Sequence, residues 1–352
     1  MARLLIIGFW ITLVGTGCRS IGPSTVSQDR FDYSLVISES VKNQVLLNMV
    51  KIRYGDLPIF VDVSSVISQY SLENDINYKF GWEYPPTLRT PSVGGSSRYE
   101  ERPTITYSPI TGEKFTKSLL TPIPPPSIFF LIQSGKSVDF VFYLCVQSIN
   151  GLNNRFDGPL QSNPMSADFA EVLTRLHRIQ QSGMIGMRIQ TVGNNQASVF
   201  YFRKDVSGEI ADDCVWVRKK LGLNPETFEF NVVYGAMPQN ENEIAILSRS
   251  VSEILVQIAS SIDIPADDLK QNRAYQVART DDPLAERMSV KVRSSKTKPK
   301  DAFVSILYRG KWFWIEDTDF RSKQIFSSIM ILLSLMESEK GANQPVLTVS
   351  TG

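Results

Sequence analysis

Apolar residues fall along this chain in three patterns: one unbroken run, stripes at helical spacing, and short alternating runs. The unbroken run covers residues 4–14, follows the basic Arg3, and gives way to Gly15, Thr16 and Gly17 before Cys18. A bilayer-spanning helix needs about 20 apolar residues, so a shorter run with these flanks predicts a signal peptide over residues 1–17. Residues 18–28, with Ser20, Gly22, Pro23, Ser24 and Ser27, read as a short tether. A helical stripe follows. Ile37, Val41, Val45, Met49 and Ile52 share one face, Leu46, Leu47 and Val50 widen it, and Gly55 and Pro58 stop it.

Alternation predicts strands over residues 59–63 and 66–72, fading towards Phe80. Prolines then crowd residues 84–126, together with Gly94, Gly95 and Gly112. They predict an irregular excursion with at most a small hairpin between 104–107 and 113–115. An excursion of that length is either a plain surface flap or a place to seek a partner surface. Helices are expected over 127–133, 138–149 and 167–181, the last striped by Phe169, Val172, Leu173, Leu176 and Ile179.

The second half alternates. A hairpin is expected at 189–192 and 197–203, and helices at 209–221, 251–262 and 320–336. Strands are expected at 228–234, 243–247, 288–293, 302–308, 311–316 and 345–349, with 263–287 irregular. Repeated βαβ units are missing, which predicts an α+β fold with mixed helices and mainly antiparallel strands, either as one large lobe or as two packed lobes, 29–184 and 185–352. Neither 128–149, broken by Ser134, Lys136 and Asp139, nor the short 325–336 provides a second membrane span.

Composition changes this picture little: 42% hydrophobic and 21% charged residues are ordinary for a globular chain. A net charge of +1 gives no pull towards nucleic acid, and no nucleic-acid partner is expected. Cys145 and Cys214 lie in apolar stretches and read as buried thiols, although an oxidising compartment would permit a disulfide. A single histidine, His177, excludes a multi-histidine metal site. No Gly-rich phosphate loop is present, so no cofactor or metal is expected.

Candidate chemistry is sparse. Residues 303–308 and 311–315 flank Arg309-Gly310, a tight hairpin signal, with Trp312 and Trp314 on one face and Phe313 and Ile315 on the other. The tryptophans either stack on a sugar or partner, or pack on the helix at 320–336, which is the preferred reading. Lys296, Lys298 and Lys300, with Lys291 and Arg293, form the one basic cluster, suited to anionic headgroups or simply to solvent. Asp317 and Asp319 resemble a carboxylate pair but read better as a helix cap. Ser295 and Lys298 fit S-x-x-K without its companion motifs, a chance match.

Thr16-Gly17-Cys18 resembles the lipobox of bacterial lipoproteins, although Gly15 stands at its leucine position. The resemblance implies removal of the segment through Gly17 and lipidation of Cys18, including a diacylglycerol thioether. Several acyl chains anchor a protein stably where one does not. Arg19, rather than aspartate, implies an outer-membrane address with the body in the periplasm. Residues 43–58 and 308–319, with Ser322-Lys323, resemble segments of a group of uncharacterised bacterial proteins that often carry such a start. The expected function is a membrane-tethered, non-catalytic envelope lipoprotein that binds another envelope protein or component. The alternative is an envelope hydrolase whose only histidine base is His177.

Overall fold

The structure, a computed structural model, describes residues 22–79, 92–109, 111–192, 195–277, 283–338 and 346–349. It is α+β, with helices and mostly antiparallel strands in mixed sheets. The chain divides into two compact units, one from within 1–40, 61–109 and 343–352, the other from within 41–60 and 110–342. The expected boundary at 184/185 therefore falls inside the larger unit.

Helix α1 (Gly22–Arg53) contributes to both units. Residues 22–28, expected as tether, are its first turns. Pro23 is compatible with that position because N–H groups there have no helical partner. Val45, Leu46, Met49 and Val50 are buried while Val41, at the start of the larger unit, is 41% exposed, so the apolar stripe enters the core of that unit from Val45 onward. Gly55, at φ +76°, takes the left-handed conformation that ends the helix.

In the smaller unit, β1 (Val61–Lys79) and β2 (Ser92–Pro109) form one antiparallel ribbon. A bulge between Val63 and Ser65 shifts the alternation, which is why the sequence reads as two strands there. The ribbon overturns the expected irregular excursion. Prolines are tolerated on edge strands, and β2 is one: Pro103 lies opposite Ser68 and Pro109 opposite Val61. Residues 113–115 belong instead to α2 (Gly112–Leu120) of the larger unit.

Directly opposed residues share a face of the ribbon. One face carries the pairs Val66–Ile105, Leu72–Tyr99 and Tyr78–Val93, with Tyr70 opposite Glu101. The other carries Ser71–Glu100, Glu73–Arg98, Asp75–Ser96 and Lys79–Ser92.

The larger unit begins with α2, α3 (Pro125–Gln133) and α4 (Val138–Cys145), followed by β3 (Val146–Ile149) and β4 (Leu152–Asn153). A small pair, β5 (Phe156–Asp157) and β6 (Ser162–Asn163), precedes α5 (Ala167–Gln181). Next come β7 (Ile185–Val192), β8 (Asn195–Phe202), α6 (Glu209–Lys220), β9 (Glu229–Tyr234), β10 (Glu243–Ser248) and α7 (Val251–Ala259). Six of these strands form a sheet in the order β4-β3-β10-β9-β8-β7, taking strands from both sides of 184/185. Its buried face holds Phe200, Phe202 and Phe230, and Phe129 of α3 packs on Phe200 with centroids 5.7 Å apart.

Residues 138–149 are not one helix, because the chain turns into β3 at Val146. Buried side chains take the carbonyls this switch releases. Asn154 donates to Tyr143 O at 2.9 Å and Val146 O at 2.6 Å, and Arg249 Nη1 to Tyr143 O at 2.9 Å. Arg249 is 1% exposed, and burial pulls its pKa down to about 10.

Two short helices, α8 (Ala266–Lys270) and α9 (Pro283–Met288), occupy the stretch expected to be irregular. Of the strand expected at 288–293, Met288 ends α9, 289–291 connect, Val292 makes an isolated parallel bridge to Ile262, and Arg293 opens β11. Val290 and Val292 are buried there, which mimics strand alternation. β11 (Arg293–Ser295), β12 (Val304–Tyr308) and β13 (Lys311–Ile315) make a sheet ordered β11-β13-β12, closed by α10 (Phe320–Ser338). Arg309 (φ 49°) and Gly310 (φ 75°) form the predicted two-residue turn. No helix among the described residues is long and apolar enough to cross a membrane.

Candidate functional site

The β11-β13-β12 sheet has two unlike faces. Phe313 and Ile315 are fully buried, with Val304 and Ile306 beside them. Trp312 and Trp314 lie on the opposite face and are half-buried, next to Leu307, which is 56% exposed. It is therefore the Phe313 face, not the tryptophan pair, that fills the core of this sheet. Register places Arg293 opposite Trp314 and Ser295 opposite Trp312.

One residue of the basic cluster meets the same surface. Lys296, Lys298 and Lys300 are exposed in the loop after β11, and Lys298 Nζ stands 5.3 Å from the centre of the Trp312 ring. A cation over an indole face is attracted by its quadrupole. Loop and strand, read separately in the sequence, thus meet at the Lys298–Trp312 pair. Such a pair suits an anionic, partly apolar partner, while the Ser295 hydroxyl opposite Trp312 donates to Thr297 O and Arg293 pairs with Glu316 at 3.2 Å.

Asp317 and Asp319 do not form a site. Asp319 accepts from Ser322 N at 3.0 Å and Ser322 Oγ at 2.8 Å, capping α10, while Asp317 pairs with Lys323 at 2.7 Å. Burial raises the Asp319 pKa, but the two Ser322 hydrogen bonds outweigh it and hold the carboxyl below the usual range. Cys145 and Cys214 are separate buried thiols, pushed up to about 12 and about 11 by burial. Cys18 lies outside the described residues.

His177 has company that the sequence did not reveal. Its Nδ1 lies 2.8 Å from Ser137 Oγ and 3.3 Å from Asp139 Oδ1. Serine, histidine and aspartate therefore meet, but not as a relay. A relay needs the carboxylate on one ring nitrogen and the hydroxyl on the other. Here both sit at Nδ1, and Nε2 is engaged by the Gln181 amide at 2.9 Å. Asp139 is also committed: it pairs with Arg287 and accepts from Phe140 N at 2.9 Å. Val138 N donates to Gln180 Oε1 at 2.8 Å, so neither of these two N–H groups is left for an oxyanion. The cluster holds α4, α5 and α9 together.

A second cluster was missed entirely. Tyr54, just past α1, donates to Asp268 Oδ2 at 2.6 Å, and Lys311 Nζ reaches the same oxygen at 2.7 Å. Asp56 accepts from Tyr308, and Arg309 lies 3.2 Å from it. Tyr54 packs edge-on to Phe313 at 6.0 Å. Residues 43–58 and 308–319, noted separately in the sequence, are thus packed against each other. Arg53 beside them is 4% exposed, with Nε and Nη1 lacking hydrogen-bond partners, and its guanidinium lies over the Tyr275 ring at 4.2 Å.

A cleft of about 370 Å³ is lined by Gln147, Asn153, Asn154, Asn163 and Met165, with no titratable side chain. Among the described residues no group of His, Cys, Asp and Glu is arranged to hold a metal ion. Comparison with protein-family models, curated proteins and solved structures finds no match.

Proposed function

We propose that the chain is a membrane-tethered envelope lipoprotein with a binding or assembly role rather than a catalytic one. The observation that carries this reading is the opening pattern: a basic start, a short apolar run, small residues and Cys18. Lipid on Cys18 would hold the body at a membrane surface, on the periplasmic side of an outer membrane. The outward face of Trp312, Trp314, Lys296, Lys298 and Lys300 supports the binding half of the proposal, because indoles and lysines suit the headgroup region. The committed state of Ser137, Asp139 and His177 weighs against the hydrolase alternative.

The test is metabolic labelling with a palmitate analogue in cells, comparing the native chain with Cys18→Ala. Label that depends on Cys18 supports the tether. Label on neither chain, with the native protein recovered from the soluble fraction, overturns it.

A further inference from the structure

The β1–β2 ribbon is two-faced along its length, an alternation that suits one apolar and one aqueous surrounding. Its two faces are segregated in charge. Asp62, Glu73, Asp75, Lys79, Arg98, Glu100 and Arg102 share one face by register, and only Glu101 among charged residues lies on the other. Asp75, Ser96 and Thr106 on the charged face are exposed. The opposite face carries Val66, Leu72, Ile76, Val93 and Ile105 together with Tyr70, Tyr78, Tyr99 and Tyr107.

The backbone is equally telling. Among the described residues β2 pairs only with β1, and the far edge of β1 is paired only from Ser65 to Ser68, by β14 (Val346–Val349). That leaves Gln69–Lys79 registered against Ser92–Arg102 with both outer edges open. A tilted membrane strand needs about 9–11 residues, which this stretch matches. Tyr70 and Tyr78 bracket it, about 27 Å apart along the strand at 3.4 Å per residue and so about 21 Å along the normal at a ~40° tilt, a little inside the ~25 Å apolar band that aromatic girdles flank in membrane barrels. Within the bracket the non-charged face holds Leu72 and Ile76 with one uncharged polar pair, Asn74 opposite Ser97. An open edge cannot sit in hydrocarbon, because its N–H and C=O groups would have no partners. Closure by copies of the same ribbon satisfies both edges. Pro103 and Pro109 withhold donors below this stretch, not within it.

We infer that the ribbon is the membrane-inserting element of an oligomeric β-barrel, in which copies of this chain join ribbon edges into a ring. The Leu72 face meets lipid and the Glu73 face lines a water-filled lumen. The smallest barrels have about eight strands, so a ring takes at least about four copies. The inference rests on the membrane-tethered reading only for bringing the ribbon to a bilayer.

Full-length chain carrying Cys18→Ala, with one added cysteine at each position from 70 to 76, is labelled with an environment-sensitive dye and reconstituted into liposomes from detergent. Cys145 and Cys214 are buried, and the chain without an added cysteine gives the background. Positions 70, 72, 74 and 76 are expected to respond to a lipid-soluble quencher, and 71, 73 and 75 to an aqueous one. Leu72→Asp should cut release of a trapped small dye at least tenfold, while Ser71→Asp leaves it within about twofold. A uniformly aqueous scan on liposome-associated protein overturns the inference, as does dye release indifferent to Leu72→Asp. Because the scan is done without Cys18, a flat scan with intact palmitate labelling in cells removes the barrel and leaves the tether. An alternating scan without that labelling does the reverse.

Discussion

Tyr54 and Lys311 share one oxygen of Asp268, at 2.6 and 2.7 Å, and so fasten the end of α1 to β13 through α8. Burial raises the Asp268 pKa, but the hydrogen bonds from Lys311 and Tyr54 outweigh it, and the carboxyl stays below the usual carboxylate range. A depressed folded pKa contributes stability above the unfolded value of about 4, lost as pH falls through the folded value. Asp268→Asn should therefore destabilise at neutral pH and flatten the acid limb of the stability curve. Tyr54→Phe should cost about 1.5–3 kcal/mol, that of a hydrogen bond to a charged group. Urea unfolding between pH 3 and 7 checks both, and an unchanged acid limb in Asp268→Asn contradicts the assignment.

Asp213 gives an independent acid-sensitive joint between α5 and α6. It accepts from Arg178 Nε at 2.8 Å and Arg175 Nη1 at 2.7 Å. The Arg178 hydrogen bond holds its pKa down against burial, with Arg175 adding to the effect. Its contribution is likewise present above about pH 4 and lost below. Both arginines are partly exposed, so Asp213→Asn should cost about 1–2 kcal/mol rather than the 3–5 of a fully buried pair. Thermal melts at pH 7 measure this.

His177→Ala should lower stability by about 1 kcal/mol through its contacts with Ser137 and Gln181 and leave membrane association unchanged. A fluorophosphonate probe should not label Ser137, since no lone pair of the ring is placed to take its proton while Gln181 donates to Nε2. Labelling abolished by Ser137→Ala would restore the hydrolase reading.

The two faces of β13 should respond differently to truncation. Phe313→Ala empties a fully buried site and should cost about 3–5 kcal/mol. Trp312→Ala should cost less, since that residue is half-buried. At the surface, replacing Lys296, Lys298 and Lys300 together by Ala should weaken co-sedimentation with anionic vesicles on the order of 100-fold at low salt, at about 1 kcal/mol per charge. The difference should shrink as salt rises. Equal binding by native and triple-substituted chains argues that the patch is only solvated.

Helical periodicity was legible where a helix is amphipathic: the expected 167–181 matches α5 at both ends, and the expected 209–221 matches α6 at its start. The Arg309-Gly310 hairpin was legible because turn chemistry is local. What the sequence hid was decided at a distance. Prolines at 103 and 109 look like strand breakers until β2 is known to be an edge. The helix-to-strand switch at Val146 depends on Asn154 and on Arg249 from β10's end. Ser137 beside His177, and Tyr54 beside Asp268, are pairings that no spacing announces. Candidate chemistry fared the same way: the Lys298–Trp312 pair joins two segments that the sequence presents as a loop and a strand.

The prolines of β2 carry a last implication, for the period before any partner is met. A long ribbon with one apolar face, and with no strand on its outer edges beyond Ser65–Ser68 among the described residues, is a template for misassembly wherever chains meet at high concentration. Pro103 and Pro109 each delete a donor from the ladder, so a stray strand docking over the lower half of β2 would leave carbonyls unsatisfied. In the ring inferred above they would act as gatekeepers, leaving the upper stretch as the place where neighbouring ribbons join. Pro103→Val, harmless to the fold of a lone molecule, should therefore surface as inclusion bodies and lost yield.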